Sequence, residues 1–315
     1  MGKAPLLLVH GGAGRRSMEA DRKRYLDAVA AALDAGACAL AGGADAAVIA
    51  AVECMERDES LNAGRGSVLN ADGRVSLDAG FMEGRERRYG AVACVARCTT
   101  PVVLAHRLHR DGDFGRFVAG PAADQLARRW AIAVCEPQEL ITGRARERHL
   151  RRIAGEAGND AGIGNDDGPI GDTVGAVALD SHGHLAAAVS TGGTAGKTPG
   201  RIGDTPVVGA GYWAVDGIGA CVTTGVGEVL LREGTARRCV ELLSDKRSAV
   251  EAAQTALAEL RNHDADDRGQ AGLIVVTATG DAAIVHTAAE MASGWVREGQ
   301  RGVASHQWKH ASPLV

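Results

Sequence analysis

The chain contains the stretch Gly171-Asp-Thr-Val-Gly-Ala-Val-Ala-Leu-Asp180, in which a threonine opens an apolar run typical of a buried strand. A glycine-rich acidic segment, residues 155–172, leads directly into this threonine. If the bond between Asp172 and Thr173 were cut, Thr173 would become an amino terminus. Its own α-amine could then take the proton of its hydroxyl. The stretch therefore indicates self-cleavage and a threonine nucleophile, and the alternative is a plain β-branched residue that starts a strand.

The composition is typical of a globular protein with a core of small aliphatic residues. The chain has 315 residues, of which 45% are hydrophobic and 23% are charged, and its net charge is −4. This charge argues against general nucleic-acid binding. The apolar runs are shorter than the roughly 20 residues that span a bilayer, and the first residues do not resemble a secretory signal. Seven scattered cysteines suit a reducing compartment, so we expect a cytoplasmic protein without membrane attachment.

Strand-like segments occur in hairpins rather than alternating singly with helices. The clearest pairs are Thr173–Leu179 with His184–Thr191 and Gly272–Ala278 with Ala282–His286. A further hairpin is predicted at residues 67–81. Alanine-rich or amphipathic segments between them predict helices at residues 17–40, 45–57, 101–110, 121–130, 136–154, 227–243 and 248–262. This order predicts an α+β fold with mainly antiparallel sheets and helices packed outside them.

Glycine-rich loops after the threonine strand carry groups that an amidase needs. Ser190-Thr-Gly-Gly-Thr194 ends the strand that would pair with the one after Thr173, so it brings hydroxyls close to Thr173. Arg201 and Asp204 could bind the carboxylate and the ammonium of an amino acid, although a surface salt bridge is the alternative. The segment Thr223–Glu228 could stabilise an oxyanion or could simply cap a helix.

Six sequence blocks, taken in order, resemble the plant-type asparaginase/isoaspartyl peptidase family of N-terminal nucleophile (Ntn) hydrolases. They are His10–Gly14, Leu61–Asn70, Asp172–Asp180, Ser190–Gly193, Gly200–Pro206 and Thr224–Glu228. The resemblance covers nearly the whole chain and implies a four-layer αββα sandwich. It also implies one domain over residues 1–315, cleaved into an α piece (1–172, with 155–172 as a flexible linker) and a β piece (173–315).

The resemblance also implies the roles of individual residues. Thr173 would be the nucleophile, Thr191 the hydroxyl that assists it, and Asn62 a residue that positions it. Thr224 and Gly225 would bind the oxyanion, Arg201 the substrate α-carboxylate and Asp204 its α-amine. The implied substrate-binding set is Arg201, Ile202, Gly203, Asp204, Thr224, Gly225, Val226 and Gly227.

The resemblance implies no cofactor for catalysis but a structural alkali cation, Na⁺ or K⁺. Its ligands would be backbone carbonyls in the loop between Met55 and Arg65. The residues that contribute them would be Met55, Glu56, Asp58, Leu61, Ala63 and Arg65.

The implied function is hydrolysis of β-aspartyl (isoaspartyl) dipeptides and L-asparagine through an acyl-enzyme, by a homodimer of αβ units. One departure concerns the residue before the nucleophile, which is Asp172 rather than the glycine common in this family. Asp172 is similar to the glycosylasparaginase branch, although Gly171 replaces the histidine of that branch. Glycosylasparaginase is therefore an alternative function. An unprocessed, non-catalytic amino-acid-binding protein of the same fold is another.

Overall fold

The computed structural model describes residues 3–14, 19–112, 115–155, 173–262, 270–307 and 312–313. Within these ranges the strands form one sheet of eight and one sheet of five. The paired strands run antiparallel, except for one parallel pair at an edge of the larger sheet. The expected α+β fold with two mainly antiparallel sheets is confirmed.

The larger sheet contains the strand that follows Thr173. Along the chain its strands are β1 (Leu6–Gly14), β2 (Leu77–Glu83), β3 (Tyr89–Val95), β4 (Phe117–Ala119), β5 (Val174–Leu179), β6 (Leu185–Thr191), β11 (Glu290–Arg297) and β12 (Gln300–Gln307). Their spatial order is β12-β11-β1-β5-β6-β2-β3-β4. Strand β5 is therefore central, and all six of its residues are buried.

The smaller sheet contains the strand that ends at the predicted oxyanion loop. Its strands are β7 (Tyr212–Val215), β8 (Gly219–Gly225), β9 (Ala271–Thr277), β10 (Ala282–His286) and β13 (Ser312–Pro313). Their spatial order is β13-β10-β9-β8-β7. Strand β8 thus lies inside the sheet, between β9 and β7.

Helices pack against both sheets. They are α1 (Glu19–Ala39), α2 (Ala44–Arg57), α3 (Pro101–Asp111), α4 (Pro121–Arg129), α5 (Gly143–Ile153), α6 (Gly227–Glu233), α7 (Thr235–Ser244) and α8 (Ala249–Asn262). One buried apolar cluster joins α1, α2 and α3 to the larger sheet, and another joins α7 and α8 to the smaller sheet. A third cluster contains residues of both sheets, such as Val177 and Val222. Burial of this apolar surface is the main force that holds the elements together.

Helix α1 corrects one expectation from the sequence. Residues 22–42 are long and apolar enough, by length and composition alone, to cross a membrane. In this fold the helix instead packs against α2, β1 and β11. Its residues Val29, Ala32 and Leu33 belong to the apolar core. One face of this helix therefore belongs to the core.

Three local predictions were wrong in part. Residues 67–70 do not form a strand, because the side chain of Asn70 accepts hydrogen bonds from the backbone of Asp72 and Arg74 and closes a turn. The helix predicted at residues 136–154 begins only at Gly143, after a short 3-10 turn. The helix predicted at 227–243 is two helices, because Gly234 adopts a left-handed conformation with φ 59°.

Candidate active site

Thr173 lies immediately before the central strand β5 and is 5% exposed. Its hydroxyl oxygen is 3.2 Å from the hydroxyl oxygen of Thr205, which is also buried. Thr205 directly follows Asp204 in the sequence. The residue that contacts the predicted nucleophile is therefore the direct neighbour of Asp204, the predicted partner of a substrate amine. Asp172, the predicted cleavage partner, lies outside the described residues.

Thr191 ends strand β6 beside the start of β5. Val174 pairs with Ser190 in this antiparallel ladder, so Thr173 and Thr191 lie at the same end of the two strands. The hydroxyl of Thr191 accepts a hydrogen bond of 2.9 Å from the backbone N–H of Gly193. Because that bond uses a lone pair of the oxygen, the O–H of Thr191 can still donate.

Asn62 contacts the glycine turn after Thr191 rather than Thr173. Its side-chain nitrogen donates to the carbonyl of Gly193 at 2.7 Å, and its side-chain oxygen accepts from the N–H of Val68 at 3.0 Å. Its backbone carbonyl also accepts from the N–H of Gly192 at 2.9 Å. Asn62 would therefore act on Thr173 indirectly, by fixing the position of this turn.

Arg201 and Asp204 meet at the bare α-carbon of Gly227. A β-carbon at Gly227 would lie 2.8 Å from Nη2 of Arg201 and 3.0 Å from Oδ1 of Asp204. The distance between Nη2 of Arg201 and Oδ1 of Asp204 is therefore at most the sum of these two distances. Glycine at this position lets both charged groups lie against its α-carbon, where a side chain would displace them.

The carboxyl of Asp204 is held in an unusual state for an aspartic acid. It is 4% exposed, and burial raises its pKa to about 7, while the charge of Arg201 acts in the opposite direction. The hydroxyl oxygen of Thr223 lies 3.4 Å from Oδ2, although its shortest hydrogen bond goes to the carbonyl oxygen of Ala210 at 2.9 Å. A buried carboxylate gains most from a cationic partner, so the site favours an ammonium group.

The other members of the predicted substrate-binding set differ in their surroundings. A β-carbon at Gly203 would lie 2.9 Å from Nη1 of Arg201. Ile202 is 36% exposed, at the rim of the loop. Val226 precedes α6, and its N–H donates to the carbonyl of Gln270 at 3.3 Å.

Thr224 and Gly225 form the end of strand β8. Thr224 is fully buried and pairs with Gly272 of β9. Gly225 has φ +153°, and a β-carbon there would lie 2.6 Å from the carbonyl oxygen of Gln270. A side chain at position 225 would therefore displace the neighbouring strand.

His10 is a neighbour of Thr173 to which the family resemblance assigned no role. It is fully buried in β1 and pairs with Gly175 of β5, two residues after Thr173. A β-carbon at Gly175 would lie 2.6 Å from Nε2 of His10, so the glycine makes room for the imidazole. Burial lowers the pKa of His10 to about 3, against a smaller opposite effect from the backbone of Thr173. The imidazole is therefore neutral at working pH.

A buried ion pair, also missed from the sequence, anchors the loop that leads to Arg201. The ammonium of Lys197 lies 3.3 Å from Oδ2 of Asp78 and 3.0 Å from the carbonyl oxygen of Ser76. Both side chains are at most 2% exposed. Asp78 pairs with Thr191 across β2 and β6, so the ion pair connects the loop to the strand end of the site.

Backbone carbonyls converge in the loop predicted to hold an alkali cation. A β-carbon at Gly66 would lie 2.8 Å from the carbonyl oxygen of Asp58, 2.9 Å from that of Glu59, and closer still to that of Leu61. Within the described residues, no group of three His, Cys, Asp or Glu side chains could hold a metal ion. Uncharged oxygen donors without such a cluster fit a hard monovalent cation better than a transition metal.

The carbonyls of the other predicted ligands differ in what they contact. The carbonyl of Glu56 faces Gly64. The carbonyls of Met55 and Ala63 accept backbone hydrogen bonds within the loop, at 3.3 and 3.1 Å. Glu59 was absent from the predicted ligand set but faces the same point as Asp58 and Leu61.

Comparison with known proteins shows the family to which the chain belongs. A family model described as Asparaginase matches residues 3–304, a range that includes every residue of the candidate site. The chain belongs to this asparaginase family. The resemblance that the motifs indicated is thus confirmed.

Several relatives share most of their length with this asparaginase-family chain. The plant-type L-asparaginase of Pyrobaculum calidifontis is 40% identical over 302 residues, which cover 93% of this chain and 97% of the relative. The isoaspartyl peptidase/L-asparaginase of Mus musculus is 38% identical over 299 residues, with 94% and 89% covered. The protein of the same name from Homo sapiens is 36% identical over 299 residues, with 94% of each chain covered.

Proposed function

We propose that this asparaginase-family hydrolase is an autoprocessing enzyme that cleaves β-aspartyl (isoaspartyl) dipeptides and L-asparagine through Thr173. The observation that carries the proposal is the meeting of Arg201 and Asp204 at Gly227, next to the pair formed by Thr205 and Thr173. A guanidinium and a carboxylate at this spacing suit the α-carboxylate and α-amine of one amino acid. The names of the mouse and human relatives support the same substrates.

In maturation, the hydroxyl of Thr173 attacks the carbonyl carbon of Asp172 and displaces its amide nitrogen. The resulting ester joins Asp172 to the oxygen of Thr173. Displacement of the nitrogen frees the α-amine of Thr173, and water then hydrolyses the ester, which regenerates the hydroxyl and leaves Asp172 with a new carboxylate. The two products are residues 1–172 and 173–315.

In turnover, the freed α-amine accepts the hydroxyl proton as the oxygen of Thr173 attacks the side-chain carbonyl carbon of the substrate. An α-amine has an ordinary pKa of about 7.7–8, so a useful fraction is neutral near pH 7.5. Thr224 and Gly225 stabilise the oxyanion, and the O–H of Thr191 donates to the reacting group. Ammonia or an amino acid leaves with the transferred proton, and water hydrolyses the acyl-enzyme to aspartate.

The carbonyl-lined loop between Met55 and Arg65 is proposed to hold Na⁺ or K⁺. The predicted ligand carbonyls are joined by that of Glu59, which faces the same point as those of Asp58 and Leu61. A bound cation would neutralise the converging carbonyl dipoles and fix the loop. Asn62 lies in this loop, so its contact with Gly193 would become more rigid. No step of the reaction requires the cation.

The helices and sheets are inferred to stack as a four-layer αββα sandwich. The apolar clusters support this order, because one contains residues of both sheets and the other two each join one sheet to its helices. A homodimer of αβ units and a cytoplasmic location remain predictions from the sequence. Sedimentation of the processed protein would measure its oligomeric state.

The variant Thr173→Ala tests the proposed nucleophile. The wild type is expected to yield fragments of 172 and 143 residues, and the variant a single chain of 315 residues with no turnover. Mass spectrometry identifies the new amino terminus. Thr99→Ala, which removes an exposed hydroxyl, is the matched control and should process normally. A Thr173→Ala protein that is cleaved or active would contradict the proposal.

Substrate identity requires a separate series on the processed wild type. We expect release of aspartate from a β-aspartyl dipeptide and from L-asparagine. Glycosylated asparagine is tested beside them, because Asp172 is similar to the glycosylasparaginase branch. Preferred hydrolysis of the glycosylated substrate would move the assignment to that branch.

A further inference from the structure

Glu228 makes a two-point ion pair with Arg201. The Nε atom of Arg201 donates to Oε1 of Glu228 at 2.8 Å, and its Nη2 atom donates to Oε2 at 2.8 Å. Two parallel hydrogen bonds fix the plane of a guanidinium as well as its position. Glu228 lies in the first turn of α6, directly after Gly227.

This ion pair leaves the other end of the guanidinium available. Glu228 uses the N–H of Nε and one N–H of Nη2, out of the five that an arginine carries. Within the part of the chain that the structure describes, Glu228 is the only side chain that accepts hydrogen bonds from this guanidinium. The remaining N–H groups belong to Nη1, beside Gly203, and to Nη2, beside Gly227. Nη2 of Arg201 and Oδ1 of Asp204 both approach the α-carbon of Gly227.

We infer that Glu228 is a positioning residue, which holds Arg201 by one edge so that the opposite end can receive the α-carboxylate of the substrate. The inference rests on the proposed function. An arginine side chain has many accessible rotamers, and an unsupported guanidinium would lose much of that rotamer entropy only when substrate binds. Glu228 removes that cost in advance, because the Arg201 side chain is already fixed and only 19% exposed.

If Glu228 instead competed with the substrate for Arg201, its removal would change substrate affinity in the opposite direction. If the carboxylate of Glu228 took the place of the substrate carboxylate, its removal would free the site and strengthen binding. The edge that Glu228 uses argues against this, because Glu228 bonds Nε and Nη2 and, among the described residues, no side chain accepts a hydrogen bond from Nη1. The sign of the change in affinity therefore separates the two arrangements.

The test compares two inhibitors of the processed enzyme, L-aspartate and β-alanine. β-Alanine keeps the amine and the distal carboxylate of aspartate but lacks its α-carboxylate. In Glu228→Ala we expect the inhibition constant of L-aspartate to rise about tenfold and that of β-alanine to stay the same. The KM of L-asparagine should rise in parallel, with little change in kcat. Glu228→Gln, which keeps one acceptor oxygen, should lie between the wild type and Glu228→Ala.

Glu241→Ala is the control, because it removes another exposed glutamate that pairs with an arginine, at 2.7 Å. It should leave both inhibition constants unchanged. Equal weakening of both inhibitors in Glu228→Ala, tighter aspartate binding, or no change would each overturn the role of Glu228. Wild-type turnover of a β-aspartyl dipeptide is measured in the same series. Its absence would overturn the proposed function itself.

Discussion

The hydroxyl oxygens of Thr205 and Thr173 lie 3.2 Å apart in the buried centre of the site. The second hydroxyl can hold the first in one orientation before it attacks. Thr205→Val removes this partner and keeps the β-branched shape. We expect kcat to fall about 3- to 10-fold, the usual value of one neutral hydrogen bond.

Thr205→Ser is the control for this loss, because it keeps the hydroxyl. It should retain most of the wild-type kcat. Both variants must first be shown by gel to be fully cleaved, so that kcat reports turnover rather than maturation. A Thr205→Val enzyme with wild-type kcat would mean that the contact does not orient the nucleophile.

Gly227→Ala should damage substrate binding with little weakening of the fold. The new β-carbon would enter the space between Arg201 and Asp204, and the backbone of Gly227 is not in the left-handed region. The nearest atoms are the ends of the Arg201 and Asp204 side chains, so the melting temperature should fall little. We expect KM to rise by at least about tenfold.

The control for this steric effect is Gly143→Ala, also at the first position of a helix. A β-carbon at Gly143 has no atom of the described chain within 4 Å. Its KM should match that of the wild type. If Gly227→Ala bound substrate normally, the α-groups of the substrate would have to lie elsewhere.

The raised pKa of Asp204, about 7, predicts pH-dependent recognition of an ammonium. Below this pH the free carboxyl is protonated and has no charge to pair with an amine, and above it the carboxylate is present. Affinity for L-aspartate should therefore increase as pH rises through 7, by up to about tenfold per unit on the acid side. Inhibition constants between pH 5.5 and 8.5 measure it.

Succinate separates this effect from titration of the Thr173 α-amine. Succinate lacks the ammonium but keeps both carboxylates, so the ratio of the two inhibition constants isolates Asp204. In Asp204→Asn this ratio should no longer depend on pH. A ratio that is also constant in the wild type would exclude Asp204 as the ammonium partner.

Gly175→Ala should destabilise the fold, because the new β-carbon would lie 2.6 Å from Nε2 of His10. Overpacking of this kind costs about 1–3 kcal/mol. Unfolding by denaturant is best measured in the uncleaved Thr173→Ala background, which keeps one covalent chain. His10→Ala in the same background should reduce the cost of Gly175→Ala, since the two changes are coupled. Purely additive effects would contradict this packing.

Local patterns predicted much of the fold and of the site. The hairpins of β5 with β6 and of β9 with β10 have short turns, so neighbouring residues were sufficient to predict them. Thr191 directly precedes a glycine-rich loop, and Arg201 and Asp204 lie in such a loop, whose composition already pointed to a binding site. Pairing between strands that are far apart in the sequence could not be predicted from local patterns. Strand β11, for example, pairs with β1 from the other end of the chain and was not predicted.

The missed residues share a physical cause. The contact of Thr205 with Thr173 depends on how two loops fold back, and a threonine after Asp204 gives no signal of it. Lys197 looks like a solvent-exposed loop residue until β2 brings Asp78 to it. For His10 a signal was present, because a glycine within the buried strand after Thr173 indicates that a large neighbour approaches it.

The buried pair of Lys197 and Asp78 should be among the most sensitive points of the site loop. Asp78→Asn keeps an acceptor for the backbone N–H of Cys94 but leaves the ammonium of Lys197 without its counter-charge. We expect a loss of about 3–5 kcal/mol of unfolding free energy. The double change Asp78→Leu with Lys197→Met removes both charges and should cost less than Asp78→Asn alone. Denaturant unfolding in the Thr173→Ala background measures both, and a double variant less stable than Asp78→Asn would show that shape, not charge, dominates here.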